Sequence, residues 1–108
     1  MNIREETLSH TALLFDANNP RFQDLEDFVV AREERFHETS VQERAYARLK
    51  RDENLISVKH SILRNGYVNV ERMVVRPYDF QQEKFVVIEG NRRLAAIRWI
   101  NEGLPDRR

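Results

Sequence analysis

The spacing of apolar residues changes character several times along this chain, and each change predicts an element. Leu13, Leu14 and Phe15 close the run Thr11–Phe15, which reads as a short buried strand followed by the polar loop Asp16–Pro20. Phe22, Leu25, Phe28 and Val29 then recur at helical spacing, with Asp24, Glu26 and Asp27 where acids favour a helix N-terminus. This predicts a first helix fading near Glu34 to His37. Ser40-Val41-Gln42-Glu43 matches a capping box, in which the serine and the glutamate satisfy each other's backbone donors. A second helix through Ala45, Tyr46 and Leu49 follows from it. Leu55, Val58 and Ile62 mark a third helical face, continuous with the second or kinked near Asn54, which Asn65-Gly66 closes as a C-cap.

Beyond that point the period returns to that of strands. Met73–Arg76, ahead of Pro77, and Phe85–Ile88 read as two strands joined by the polar connection Tyr78–Lys84. A last helix is expected from Asn91, as N-cap, to about Asn101, with Gly103 and Pro105 just past its end. Trp99 and Ile100 sit where that helix packs on the sheet. The elements add up to one α+β domain over residues 1–108, a small mixed sheet with packed helices.

Composition narrows the class. With 108 residues, the chain is long enough for one modest core. Apolar residues make up 41% and charged residues 33%, and no apolar run approaches the roughly 20 residues that a membrane span needs. The first ten residues are polar and lack the apolar core of a signal peptide, so the expected location is cytoplasmic, with no membrane partner. The absence of cysteine removes disulfides, thiolate catalysis and cysteine-ligated zinc. His10, His37 and His60 show no ligand spacing, so no metal site is expected from side chains alone. Eighteen basic and eighteen acidic residues cancel, which disfavours non-specific DNA binding by this chain alone. The charges of Glu33, Glu34 and Arg44–Glu53 read as solvated helix faces. Leu104 to Arg108 brings no closing element, which suggests the N-terminal part of a longer protein.

The chemistry concentrates at Phe85–Ala96. An apolar strand breaks at Gly90 and opens into a helix with Arg92 and Arg93 in its first turn. The first N–H groups of a helix lack intrahelical partners and carry partial positive charge. A phosphate placed there is held by backbone donors and by charge-assisted contacts from the arginines, of which one suffices. Gly90 suits the turn because it tolerates positive φ and allows close approach.

Three blocks in order resemble the ParB N-terminal domain-like/sulfiredoxin superfamily. Asp16-Ala17-Asn18-Asn19-Pro20-Arg21-Phe22 resembles its opening "NPR" segment. Leu55–Gly66 followed by Met73-Val74-Val75-Arg76-Pro77 resembles its "LxxSIxxNG…PLVVRP" block, and Ile88–Ala96 its "GERRxxA" phosphate motif. The resemblance implies a nucleoside triphosphate with Mg²⁺ bound over the strand-to-helix turn by Gly90, Asn91, Arg92 and Arg93, with Arg21 and Asn19 approaching from the facing loop. It also implies a switch or regulatory module of a protein that meets DNA through its full-length form, with a homodimer as a further expected partner.

This sequence departs from the family pattern at two places. Asn91 stands where the family has a glutamate associated with hydrolysis, and an amide cannot act as a carboxylate base. Glu89, two positions earlier, is the alternative acid, and Asn91 or Glu89 is expected to help place Mg²⁺ or a water. The segment Val30–Glu53 is longer than the family's connection and reads as a helical insertion around 30–53. Two rival expectations remain: a slow NTPase, phosphotransferase or nuclease using Glu89 or Asp24, and a protein-interaction module with a degenerate site.

Overall fold

The computed structural model describes residues 7–26, 28–52, 54–65 and 73–103. Among them are a three-stranded mixed sheet and three α-helices, so the α+β expectation holds. The strands are β1 (Leu13–Leu14), β2 (Val74–Pro77) and β3 (Phe85–Glu89), and the helices are α1 (Thr39–Lys50), α2 (Asn54–Asn65) and α3 (Asn91–Gly103). The sheet order is β1-β3-β2, with β1 parallel and β2 antiparallel to the central β3.

β3 supplies both cores because successive side chains of a strand point to opposite faces. Val87 joins Phe15, Phe22, Tyr46, Leu49, Leu55, Leu94 and Ile100 in a core shared with the three helices. Val86 joins Leu14, Ala17, Phe36 and Tyr78 under the segment that leads into α1. Trp99 packs partly buried against the first core, and Ile100 is fully inside it, as their positions predicted. Pro77 lies within β2 rather than after it. An edge strand tolerates the missing N–H, and here Pro77 pairs opposite Phe85.

Two predicted elements are replaced by tertiary hydrogen bonds. The strand expected over Thr11–Phe15 is reduced to two residues, preceded by a 3₁₀ turn at His10–Ala12. Gln42 takes the backbone of Phe15 on both sides, accepting from its N–H at 2.8 Å and donating to its carbonyl at 3.0 Å. The next N–H, that of Asp16, donates to Asn91 Oδ1 at 3.0 Å. With these groups engaged, the ladder cannot continue past Leu14.

Among the described residues the helix predicted from Phe22 is absent. Pro20–Phe22 forms a 3₁₀ turn, and the described residues between it and another such turn at Glu33–Arg35 are irregular. Asn18 pins this stretch by accepting from the Ala31 N–H at 2.9 Å and donating to its carbonyl at 2.8 Å. Phe22 and Phe28 close on the buried Arg48, whose guanidinium lies 5.7 and 5.5 Å from their ring centroids. The helical spacing of Phe22, Leu25 and Phe28 therefore reflects packing around α1. Asp24 and Glu26 are exposed loop acids, and Asp27 lies outside the described residues.

The remaining boundaries differ by smaller steps. Helix α1 begins at Thr39 with Glu38 at the N-cap and no side-chain cap bond, so Ser40 is inside the helix and the capping box does not form. Arg35 takes the Glu38 carboxylate instead, and Glu43 pairs with Arg98. The α1–α2 break falls at Arg51–Asp52, close to the expected kink. Asn65 ends α2, whereas the Gly66 half of the predicted cap lies outside the described residues, as does Pro105.

Tyr46 joins α1 to α3. Its ring stacks on Phe15 at 5.8 Å, Arg98 lies 3.9 Å over it, and its hydroxyl donates to Glu102 Oε1 at 2.5 Å. Burial, and then the Glu102 carboxylate, hold the phenol well above its ordinary value. The folded state therefore keeps this proton at a pH where the unfolded chain loses it. That contribution to stability is fully present below pH of about 10 and is lost as pH rises through the folded pKa. Urea unfolding between about pH 9 and 11 should show wild-type stability falling more steeply than that of Tyr46→Phe. Parallel profiles would rule the coupling out.

Candidate functional site

The strand-to-helix junction is built by two residues with distinct tasks. Gly90 turns the chain at φ +111°, a conformation that L side chains rarely adopt. The close neighbour that the structure shows at this glycine is the protein itself. A Cβ at Gly90 would stand 2.7 Å from Met73 Cγ, at the entry to β2. Asn91 is the first residue of α3 rather than its N-cap, and it is almost fully buried, with 4% exposure. Its Oδ1 accepts from Asp16 N–H at 3.0 Å, and its Nδ2 donates to the Val87 carbonyl at 2.9 Å. The amide expected to place Mg²⁺ or a water is thus consumed in joining α3 to β3 and to the loop after β1. What it leaves for a ligand is its backbone N–H, which has no intrahelical partner.

Around this junction lies an open cleft of about 370 Å³ lined by Asn19, Arg21, Val58, Ile88, Glu89, Gly90, Asn91, Arg92 and Arg93. All seven residues singled out from the sequence are therefore brought together, from a loop and a helix separated by most of the chain. The first intrahelical bond of α3 runs from Leu94 N–H to Gly90 carbonyl at 2.9 Å. The N–H groups of Asn91, Arg92 and Arg93 thus form the positive end of the helix. Arg21 is exposed, Arg92 is partly buried, and Arg93 lines the same cleft.

The other contributors have structural explanations as well. Asn19 accepts from the Arg21 N–H at 3.1 Å and so caps the 3₁₀ turn that presents Arg21. Ile88 and Glu89 are both exposed and both line the cleft, although consecutive strand residues normally face opposite ways. The register explains it: Val75 pairs with Val87 and Val74 with Glu89, which leaves Ile88 as the extra residue of a bulge. A bulge of this kind re-aims the side chains beside it.

One site residue escaped the sequence reading. Asp52, taken with its neighbours for a solvated charge, sits at the α1–α2 break with Oδ2 3.9 Å from Arg21 Nη1 and 3.9 Å from Arg92 Nη1. An aspartate just ahead of the Leu55 face is a helix-start signal. Nothing local says that this helix start faces the Arg21 loop.

The arrangement sets three arginines and a helix N-terminus against Asp52 and Glu89, beside an apolar wall of Val58 and Ile88. It can hold an anion, and a phosphate matches both the backbone donors and the guanidinium forks. Among the described residues no group of three or more His, Asp or Glu side chains is placed to hold a metal ion. A divalent cation there would depend mainly on phosphate oxygens, as Mg²⁺ often does. No described helix is long and apolar enough to cross a membrane. Comparison with protein-family models, curated proteins and solved structures yields no match to this chain.

Two substitutions test the junction. Asn91→Ala should cost about 2–4 kcal/mol in urea unfolding, because it strands the Asp16 N–H and the Val87 carbonyl. Gly90→Ala should cost about 2–3 kcal/mol from positive φ and the Met73 contact together. A loss below about 0.5 kcal/mol in either variant, the range of ordinary surface changes, would contradict the corresponding role.

Proposed function

We propose that this protein binds a nucleoside triphosphate with Mg²⁺ at the α3 N-terminus and acts as a switch or regulatory module. One observation carries the reading: Arg21, Arg92 and Arg93 line the same cleft as the first N–H groups of α3. Each is a residue that the sequence had nominated for phosphate. In this reading the N–H groups of Asn91–Arg93 cradle the phosphates, Arg92 or Arg93 neutralises charge, and Arg21 closes from the facing loop. Val58 and Ile88 offer apolar contact to the rest of the ligand. The metal rides on the phosphate oxygens, with Glu89 the nearest candidate to orient it or a water. Binding biases a conformational or dimerisation equilibrium through the loop that carries Arg21.

The resemblance to the ParB/sulfiredoxin superfamily supports a nucleotide in place of a bare phosphate. It alone carries the association with DNA through a longer chain, since the charges of these 108 residues balance. Slow hydrolysis, phosphotransfer or nuclease action is the second reading, favoured by the position of the exposed Glu89 at the rim of the same cleft. It predicts metal-dependent turnover that Glu89→Gln abolishes.

Calorimetric titration with each of the four common NTPs plus Mg²⁺ tests the main reading. Binding is expected for at least one of them, weakened about ten- to hundredfold in Arg92→Ala or Arg93→Ala, as loss of a charge-assisted contact implies. Absence of binding, or binding indifferent to both substitutions, would refute it.

A further inference from the structure

We propose that Asp52 is the internal counter-ion of this cleft. It pairs with Arg21 and Arg92, stays in place when a phosphate arrives, and so makes the site favour a polyphosphate whose charge a divalent cation has partly neutralised. The inference rests on the phosphate-binding reading above.

Two distances define the juxtaposition. Oδ2 of Asp52 lies 3.9 Å from Nη1 of both Arg21 and Arg92. Neither contact is short enough for a hydrogen bond, so the guanidinium donors are left to other acceptors. The attraction still offsets the repulsion between two cations that the fold holds side by side.

The carboxylate is not positioned by the arginines. Its Oδ1 accepts the Asn54 N–H at 2.9 Å, its backbone N–H donates to Leu49 at 3.1 Å, and its carbonyl accepts from Leu55 at 3.0 Å. These bonds fix Asp52 at the break just ahead of α2. A phosphate oxygen entering between the two guanidiniums therefore meets a negative charge that does not swing away at no cost. The repulsion grows with the ligand's charge, and a bound Mg²⁺ lowers it. Asp52 is thus a positioning and selectivity residue that touches the arginines.

Pyrophosphate is the probe, titrated with excess EDTA and again with excess Mg²⁺. Asp52→Asn keeps an oxygen to accept from Asn54, and Asp52→Ser is a second capping residue without the charge, so both preserve the α2 start. Metal-free pyrophosphate should bind about three- to tenfold more tightly to Asp52→Asn than to wild type, and the gain should shrink to under about twofold with Mg²⁺. Asp52→Ser should behave alike. Glu34→Gln, the same charge change at a residue that pairs with Arg32 and with neither cleft arginine, should alter neither. If the wild type binds pyrophosphate and Asp52→Asn does not bind the metal-free form more tightly, the inference fails and the site stands. Weakening confined to the Mg²⁺ form would instead make Asp52 a metal ligand, and also overturns the inference. No pyrophosphate binding by any variant, with or without Mg²⁺, removes both the site and the counter-ion. Binding by Asp52→Asn alone supports both.

Discussion

The buried carboxamide of Asn91 is the constraint on which the rest of this structure depends. One of its atoms holds the Asp16 N–H just past β1, and the other holds the Val87 carbonyl on β3. The parallel partners β1 and β3 are thereby tied to the start of α3 at a single point. The loop after β1, which carries Asn19 and Arg21, is thus fixed relative to the helix that carries Arg92 and Arg93. An aspartate in this place could accept the first of these bonds but not donate the second, and an apolar residue could do neither. Asparagine trades away carboxylate chemistry at the helix start in exchange for registry between the halves of the cleft. That suits a site that holds a phosphate better than one that cleaves it.

Around that tie, charge and backbone geometry are balanced locally. Gly90 admits the positive φ that lets β3 stop and α3 start without a longer loop, and Met73 occupies the space its missing side chain leaves. The bulge at Ile88 turns two consecutive residues toward the same opening. Asp52, held by the first turn of α2, sits between two arginines from separate segments. Three elements therefore converge on one cleft: a loop, a helix break and a helix start. Movement of any one of them would alter the potential that a ligand meets.

Legibility in the sequence followed the range of the interactions. β2, β3, α2 and α3 were foreseen within a residue or two, because period, glycine and capping preferences act over one turn or one strand. The apolar residues at Phe22, Leu25 and Phe28 were also seen, but their spacing was given the wrong cause. Phe22 and Phe28 close on Arg48 and Leu25 packs against the first core rather than lining a helix, since Asn18 supplies long-range bonds to Ala31 that outweigh a weak local helix preference. β1 was overextended for the same kind of reason, as Gln42 and Asn91 take the backbone groups that would have lengthened it.

By itself, then, the sequence determined the α+β class, the strand-glycine-helix junction and the identity of seven residues around it. The class and the junction rest on contacts within one element or across one turn, whereas Asn19 and Arg21 were nominated through the family resemblance. Only the tertiary structure decided that Arg21 lies against the α3 N-terminus, that the amide of Asn91 is spent on the fold, and that Asp52 faces both arginines. Those facts depend on where distant segments meet. That is fixed by packing two cores on either side of β3 and by a few buried hydrogen bonds of long sequence separation, which leave no periodic trace in the chain.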